Sequence, residues 1–266
     1  MTKINRIQSR LKSDFKLLQE TGYEVVGVFL QGSQNYGLDT EQSDIDTKAI
    51  VLPRFAEFVE NAHAVSTKLI LESNEQIDIK DIRVMFDVLK KSNINFLEIL
   101  FTKHRFLNEK YTGLLAPIFD NAERLATWNR RALYNSISGM TQQKFVALKH
   151  PYPSIIEKIN KFGYDPKQLH HIFRQHEFIT RLAAGESFRD CLTAKDTAHL
   201  LSVKAGIYNL KDAETLGHEY AQKVTDLKNK LLAENLYPID EDATKIYNAV
   251  KTEILKAWFR EELGLR

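Results

Sequence analysis

The chain has 266 residues, 43% of them hydrophobic and 27% charged, which is enough to bury one large core or two modest ones. A net charge of +2 and a pI near 8.4 are too balanced to mark a nucleic-acid binder by charge alone, and six prolines with eleven glycines argue against disordered stretches. The single cysteine, Cys191, excludes an intramolecular disulfide; with no signal-peptide core and no run of about 18 apolar residues, the expectation is a cytoplasmic protein without membrane association.

An amphipathic helix is predicted over residues 4–19, where Ile4, Ile7, Leu11, Phe15 and Leu18 recur at spacings of three and four. Thr21-Gly22 stops it. The β-branched and aromatic run 23–30 reads as a buried strand that ends in the polar turn Gln31-Gly32-Ser33-Gln34-Asn35-Tyr36-Gly37. A second strand is predicted over 44–52, closed by Pro53, which opens a helix through Glu60. A third strand is expected over 76–82, with Ile77 and Ile79 on one face and Gln76, Asp78 and Lys80 on the other.

Beyond residue 83 helical periodicity dominates, ending in a helix near 241–261. Asp165 reads as an N-cap and Pro166 as the first position of a helix, with Leu169, Ile172, Phe173, Ile179 and Leu182 as its apolar stripe. Residues 142–182 hold seven Lys or Arg against three acids, a local basic patch that suits phosphate-bearing partners. The expected fold class is α+β, with a small α/β unit over residues 1–105 and a mostly α-helical part over 106–266.

The chemistry concentrates in residues 32–46. A strand delivers Gly32-Ser33, where glycine lets the backbone approach a bulky ligand and serine offers a hydroxyl. Eleven residues after Ser33 come Asp44 and Asp46, which share a face if both lie on a strand. Carboxylates placed side by side call for a hard divalent cation such as Mg²⁺ or Mn²⁺. Asp78 supplies a third acid from another strand and is preferred to Asp81, whose spacing puts it on the opposite face. Neither a Cys/His zinc cluster nor a P-loop is present.

Gly-Ser, then Asp-x-Asp, then a later strand aspartate resembles the DNA polymerase β-like nucleotidyltransferase superfamily, in particular its RNA ligase-associated branch found in bacteria and phages. The matching residues are Gly32-Ser33-Gln34-Asn35-Tyr36-Gly37, Thr40-x-x-Ser43-Asp44-x-Asp46, Asp78-Ile79-Lys80-Asp81 and Asn95–Phe101. Gly163-Tyr164-Asp165-Pro166-Lys167 and His171-x-x-Arg174 extend the likeness, which covers about residues 24–185. The stretch Asn93-Ile94-Asn95 lacks the proline of that pattern.

The resemblance implies a small mixed β-sheet nucleotidyltransferase core backed by helices over 1–105, an α-helical substrate-binding domain over 106–266, and binding of nucleotide phosphates by Gly32 and Ser33. It implies too that Asp44, Asp46 and Asp78 hold Mg²⁺ or Mn²⁺, and that Asp78 accepts the proton of an incoming hydroxyl. Lys167, His171 and Arg174 would contact nucleotide or RNA phosphate; as a bland alternative they form a solvated helix face. Tyr36 either packs its loop or stacks on a base, and Lys48 either touches phosphate or offsets the acids. Glu98 reads as a helix-surface residue, with a role in supporting the site as the alternative. The implied activity is transfer of a nucleoside monophosphate from an NTP to an RNA (tRNA-like) end. Transfer to a protein or small molecule, or a non-catalytic binding module, are the rivals.

Overall fold

The computed structural model describes residues 2–40 and 43–265, so positions 41 and 42 of the Thr40-x-x-Ser43 stretch lie outside the described residues. The fold is α+β, and the chain divides into two compact units. The first comprises Met1–Asn35, Asp39–Trp128 and Ile239–Arg266; the second comprises Tyr36–Leu38 and Asn129–Pro238. The expected cut at residue 105 does not coincide with this division, because residues 106–128 and the last helix both belong with the first unit.

Unit 1 runs α1 (Lys3–Glu20), β1 (Glu24–Gln31), β2 (Asp46–Leu52), α2 (Phe55–Val59), β3 (Ser66–Ile70) and β4 (Gln76–Asp81). It continues with α3 (Ile82–Lys90), α4 (Ile94–Leu97), β5 (Arg105–Leu107), α5 (Glu109–Asp120) and α6 (Ala122–Ala126). The five strands form one mixed sheet in the order β3-β4-β2-β1-β5, with only the β2–β4 pair parallel.

One sheet face buries Val28, Leu30, Ala49, Val51, Ile77 and Ile79 against Ile7, Leu11, Phe15 and Leu18 of α1. The period-two alternation of the strands meets the helical period of α1 there. Thr47 shares this face and donates to buried Asp14 (2.7 Å), which Arg10 also reaches (2.7 Å). Gly27 sits where β1 shifts register, and a Cβ there would stand 2.8 Å from Leu107 Cδ2 and 3.3 Å from Phe106 O, so a larger residue would displace the Leu107 side chain of β5.

Two expected boundaries move. β2 starts at Asp46, not at 44, so Asp44 lies in the segment leading into the strand. β4 ends at Asp81, which turns the chain: its carboxylate caps α3 by accepting from Arg83 N (2.8 Å), and Ile82 becomes helical. The helix after Pro53 opens at Phe55, with Arg54 as its N-cap. β3 and β5 were not foreseen.

Unit 2 is helical: α7 (Arg130–Ala147), α8 (Ile156–Phe162), α9 (Pro166–Ala183), α10 (Phe188–Leu192), α11 (Thr197–Lys204) and α12 (Leu210–Glu234). α9 is its central element, packed by α7, α11 and α12. It begins as expected, with Asp165 accepting from Lys167 N (3.1 Å) and Pro166 in the first turn. α13 (Glu241–Glu262) returns the chain to unit 1. Among the described residues, no helix is long and apolar enough to cross a membrane.

Candidate functional site

The site turn follows directly from the end of β1. Gly32 takes φ +88°, a left-handed conformation that glycine adopts without cost, and Ser33–Asn35 form one tight helical turn closed by Asn35 N to Gly32 O (3.0 Å). Asn35 anchors the turn back to the sheet through Nδ2 to Leu30 O (2.9 Å) and accepts from Thr102 Oγ1 (2.7 Å).

The antiparallel register of β1 and β2 pairs Gln31 with Asp46. The Gly32-Ser33 turn and the Asp44-Ile45-Asp46 segment therefore emerge at the same end of two neighbouring strands. That segment is pinned along its backbone. Gln34 Nε2 donates to Asp44 O (3.0 Å), and Ile45 N donates to Glu75 Oε1 (3.0 Å). Asp46 Oδ1 accepts from Gln76 N (2.9 Å). Asp44 is exposed and Asp46 half-buried. The same-face argument for the two aspartates fails as first made, since only Asp46 is in the strand. The lead-in is tied to the turn by Gln34 Nε2 instead.

On the sheet face opposite α1, parallel register sets Lys48 beside Asp78. Asp78 is 7% exposed; its Oδ1 lies 2.9 Å from Lys80 Nζ as an ion pair but accepts no hydrogen bond. Lys48 is 2% exposed and donates to Glu98 Oε1 (2.8 Å). Burial draws the Lys48 ammonium down from its ordinary pKa, against the opposing pull of Asp78 and Asp46. Of its two foreseen roles, contact with phosphate and offset of the acids, its burial favours the second. Phe96 lies under both ammonium groups, its ring centroid 5.0 Å from Lys48 Nζ and 5.9 Å from that of Lys80.

Glu98 corrects the sequence reading. Rather than lying on a helix surface it is 3% exposed, and its second oxygen accepts from Gly32 N (3.3 Å). The pattern Phe96-Leu97-Glu98-Ile99-Leu100-Phe101 contained the signal: an acid inside an otherwise apolar run needs either solvent or a buried partner.

The three carboxylates do not form one metal cluster: among the described residues, no group of three or more His, Cys, Asp or Glu side chains is arranged to hold an ion. Asp78 is separated from the others in charge by Lys48 and Lys80. Asp44 and Asp46 make a two-carboxylate set, with the Asp44 carboxylate carrying no partner among the described residues. Such a set fits Mg²⁺ or Mn²⁺ only when substrate oxygens complete the shell, the usual habit of Mg²⁺.

The remaining predicted residues lie in unit 2. Tyr36 is 4% exposed, and the Arg174 guanidinium carbon stands 3.7 Å from its ring centroid, so one ring face is taken by a cation. Lys167, His171 and Arg174 follow one another along one side of α9; Lys167 is exposed and the other two half-buried. His171 is held neutral, well below the usual histidine range, by burial and then by His170, Lys144, Arg174 and Lys167. This side of α9 is basic, but only Lys167 on it is freely solvated. His170 is buried, with its Nδ1 2.9 Å from Leu200 O.

No family model matches the chain, and no curated protein matches it in sequence. Among solved structures, a nucleotidyltransferase-like protein from Exiguobacterium sibiricum 255-15 is similar to 84% of this chain over 75% of its own length. The identity is 12% and the TM-score 0.28, an overlap that says nothing about chemistry.

Proposed function

We propose that the chain is a divalent-metal-dependent nucleotidyltransferase that moves a nucleoside monophosphate from an NTP to a hydroxyl. The observation that carries this reading is the Gln31–Asp46 register, which puts a glycine-led turn and an Asp-x-Asp segment at one end of two adjacent strands. Gly32 and Ser33 face the triphosphate, with the Ser33 hydroxyl as a donor to phosphate oxygen. Asp44 and Asp46 hold Mg²⁺ or Mn²⁺, which when bound neutralises phosphate charge and orients the leaving group. The incoming hydroxyl oxygen bonds to the α-phosphorus while the bond to pyrophosphate breaks. Asp78, whose Oδ1 is ion-paired with Lys80 at 2.9 Å, takes the hydroxyl proton.

The acceptor in this reading is an RNA end, tRNA-like in kind. Its support is the basic composition of residues 142–182, where Lys167 is exposed, and binding of that type weakens steeply with salt as counterions are released. One observation favours a second reading, a nucleotide-binding module without turnover: Asp78 is already charge-paired with Lys80.

Incubation with each α-labelled NTP, Mg²⁺ or Mn²⁺ and total RNA separates the readings, with the Asp44→Ala/Asp46→Ala variant as control. Label entering RNA with the wild type alone supports the first reading. Label on polypeptide moves the acceptor to protein. Metal-dependent NTP binding without transfer to any acceptor favours the module.

A further inference from the structure

The Lys48–Glu98 pair is unexplained by stability. Both side chains are at least 97% buried. Removing two charges from water costs about as much as their attraction returns, so a buried pair of this kind adds little net stability. Its geometry shows another consequence. Glu98 Oε1 takes the Lys48 ammonium at 2.8 Å, and Glu98 Oε2 takes the Gly32 amide at 3.3 Å. One carboxylate thereby ties the strand that carries Asp46 to the first residue of the phosphate-facing turn. Four residues on, Thr102 holds the other end of the same turn through Asn35 (2.7 Å). The segment 98–102 is a two-point clamp on residues 32–35.

We propose that Glu98 is a positioning residue: its carboxylate, oriented by Lys48, fixes the Gly32 amide and with it the spacing between the turn and Asp46. This rests on the nucleotide-binding reading of the turn. A positioning group matters because a misplacement of about 1 Å in a phosphate-binding site costs far more than the lost contact itself. Glu98 does not touch the nucleotide; it acts through Gly32.

The test uses the full chain and two paired replacements that leave no uncompensated buried charge. Lys48→Met with Glu98→Gln keeps an acceptor for Gly32 N, whereas Lys48→Met with Glu98→Leu removes it. Binding of Mg²⁺-tripolyphosphate is measured by calorimetry, protection of the Gly32 amide by hydrogen exchange, and folding by thermal melting. Lys48→Met is common to both variants, so the comparison is between the two, and the Gln pair is expected to keep the Gly32 amide protected. The Leu pair should bind about tenfold more weakly at a similar melting temperature, with the Gly32 amide unprotected.

Equal binding by the two variants would overturn the positioning role while leaving the nucleotide reading intact. A wild type that binds neither tripolyphosphate nor any NTP would overturn both. Rapid exchange of the Gly32 amide in the wild type would by itself remove the contact on which the proposal stands, whether or not the variants fold.

Discussion

At Gly32 two demands coincide. The backbone must be left-handed to leave β1 and enter the turn, and the amide must reach Glu98. Apart from its chain neighbours no heavy atom of the described residues lies within 4 Å of where a Cβ would stand, so among them the cost of Gly32→Ala is conformational, not steric. That cost is about 1–2 kcal/mol for a non-glycine residue held left-handed. Urea unfolding of the full chain should show a loss of this size, and Gly32→Asn a smaller one, because asparagine tolerates this region better. A Gly32→Ala loss above about 4 kcal/mol would mean that the turn is packed more tightly than the structure shows.

The strand end, the turn at Gly32-Ser33 and the strand holding Asp46 were legible because the signals for them are local: a β-branched run, a glycine and a fixed spacing. Glu98 was not. Its partners are 50 and 66 residues away along the chain, and no periodicity within its own segment reports them.

Elements differ in how plainly the sequence declares them. β1 and α9 were clear, the first from a β-branched run ending at glycine and the second from the Asp165-Pro166 start. β3 was invisible because Ser66–Ile70 is an edge strand with four of its five residues exposed, so no buried face imposes alternation. β5 has three residues, too few to show a period.

Within α9, burial has a consequence for pH. Burial lowers the His170 pKa to about 4; the Leu200 carbonyl opposes this, while Arg174, Lys204 and Lys167 reinforce it. His171, beside it, is displaced in the same direction. Both are neutral in the folded chain and titrate near the usual value of about 6.5 when unfolded. Between those values the unfolded chain binds more protons, so stability is fully present above about pH 6.5 and is lost as pH falls toward about 4. For His170 alone the displacement corresponds to about 3 kcal/mol. Unfolding of the wild type between pH 7.5 and 4.5 should therefore show a steeper decline than His170→Asn, whose side-chain amide can still donate to the Leu200 carbonyl. Parallel slopes for the two proteins would sink this account.

On the scale of the whole molecule, the chain order and the compact units disagree in an informative way. A reading that follows the sequence puts the final helix with the helical half, because nothing local distinguishes one amphipathic helix from another. In the structure α13 completes unit 1. Tyr247 is fully buried, its ring 6.0 Å from Phe86 and 6.3 Å from Trp128, and its hydroxyl donates to Leu125 O (3.1 Å). Trp258 Nε1 donates to Pro53 O (2.7 Å), and Phe259 packs edge-on against Phe55. Arg124 holds Asp240 by paired hydrogen bonds at 2.5 and 2.7 Å.

These contacts close an apolar surface on α3, α5 and α6 that residues 1–128 leave uncovered. Truncation to residues 1–128 should accordingly give an unfolded or aggregating product, whereas co-expression with residues 239–266 should recover a cooperative melt. Tyr247→Ala in the full chain removes the centre of this contact and should cost about 3–5 kcal/mol, as large-to-small changes in a packed core do. Circular dichroism and hydrogen exchange would locate the effect. Loss of protection confined to α13 would mean that the helix is an accessory, while loss extending to α3 and the sheet would establish it as part of the core that supports the Gly32 turn and Asp46.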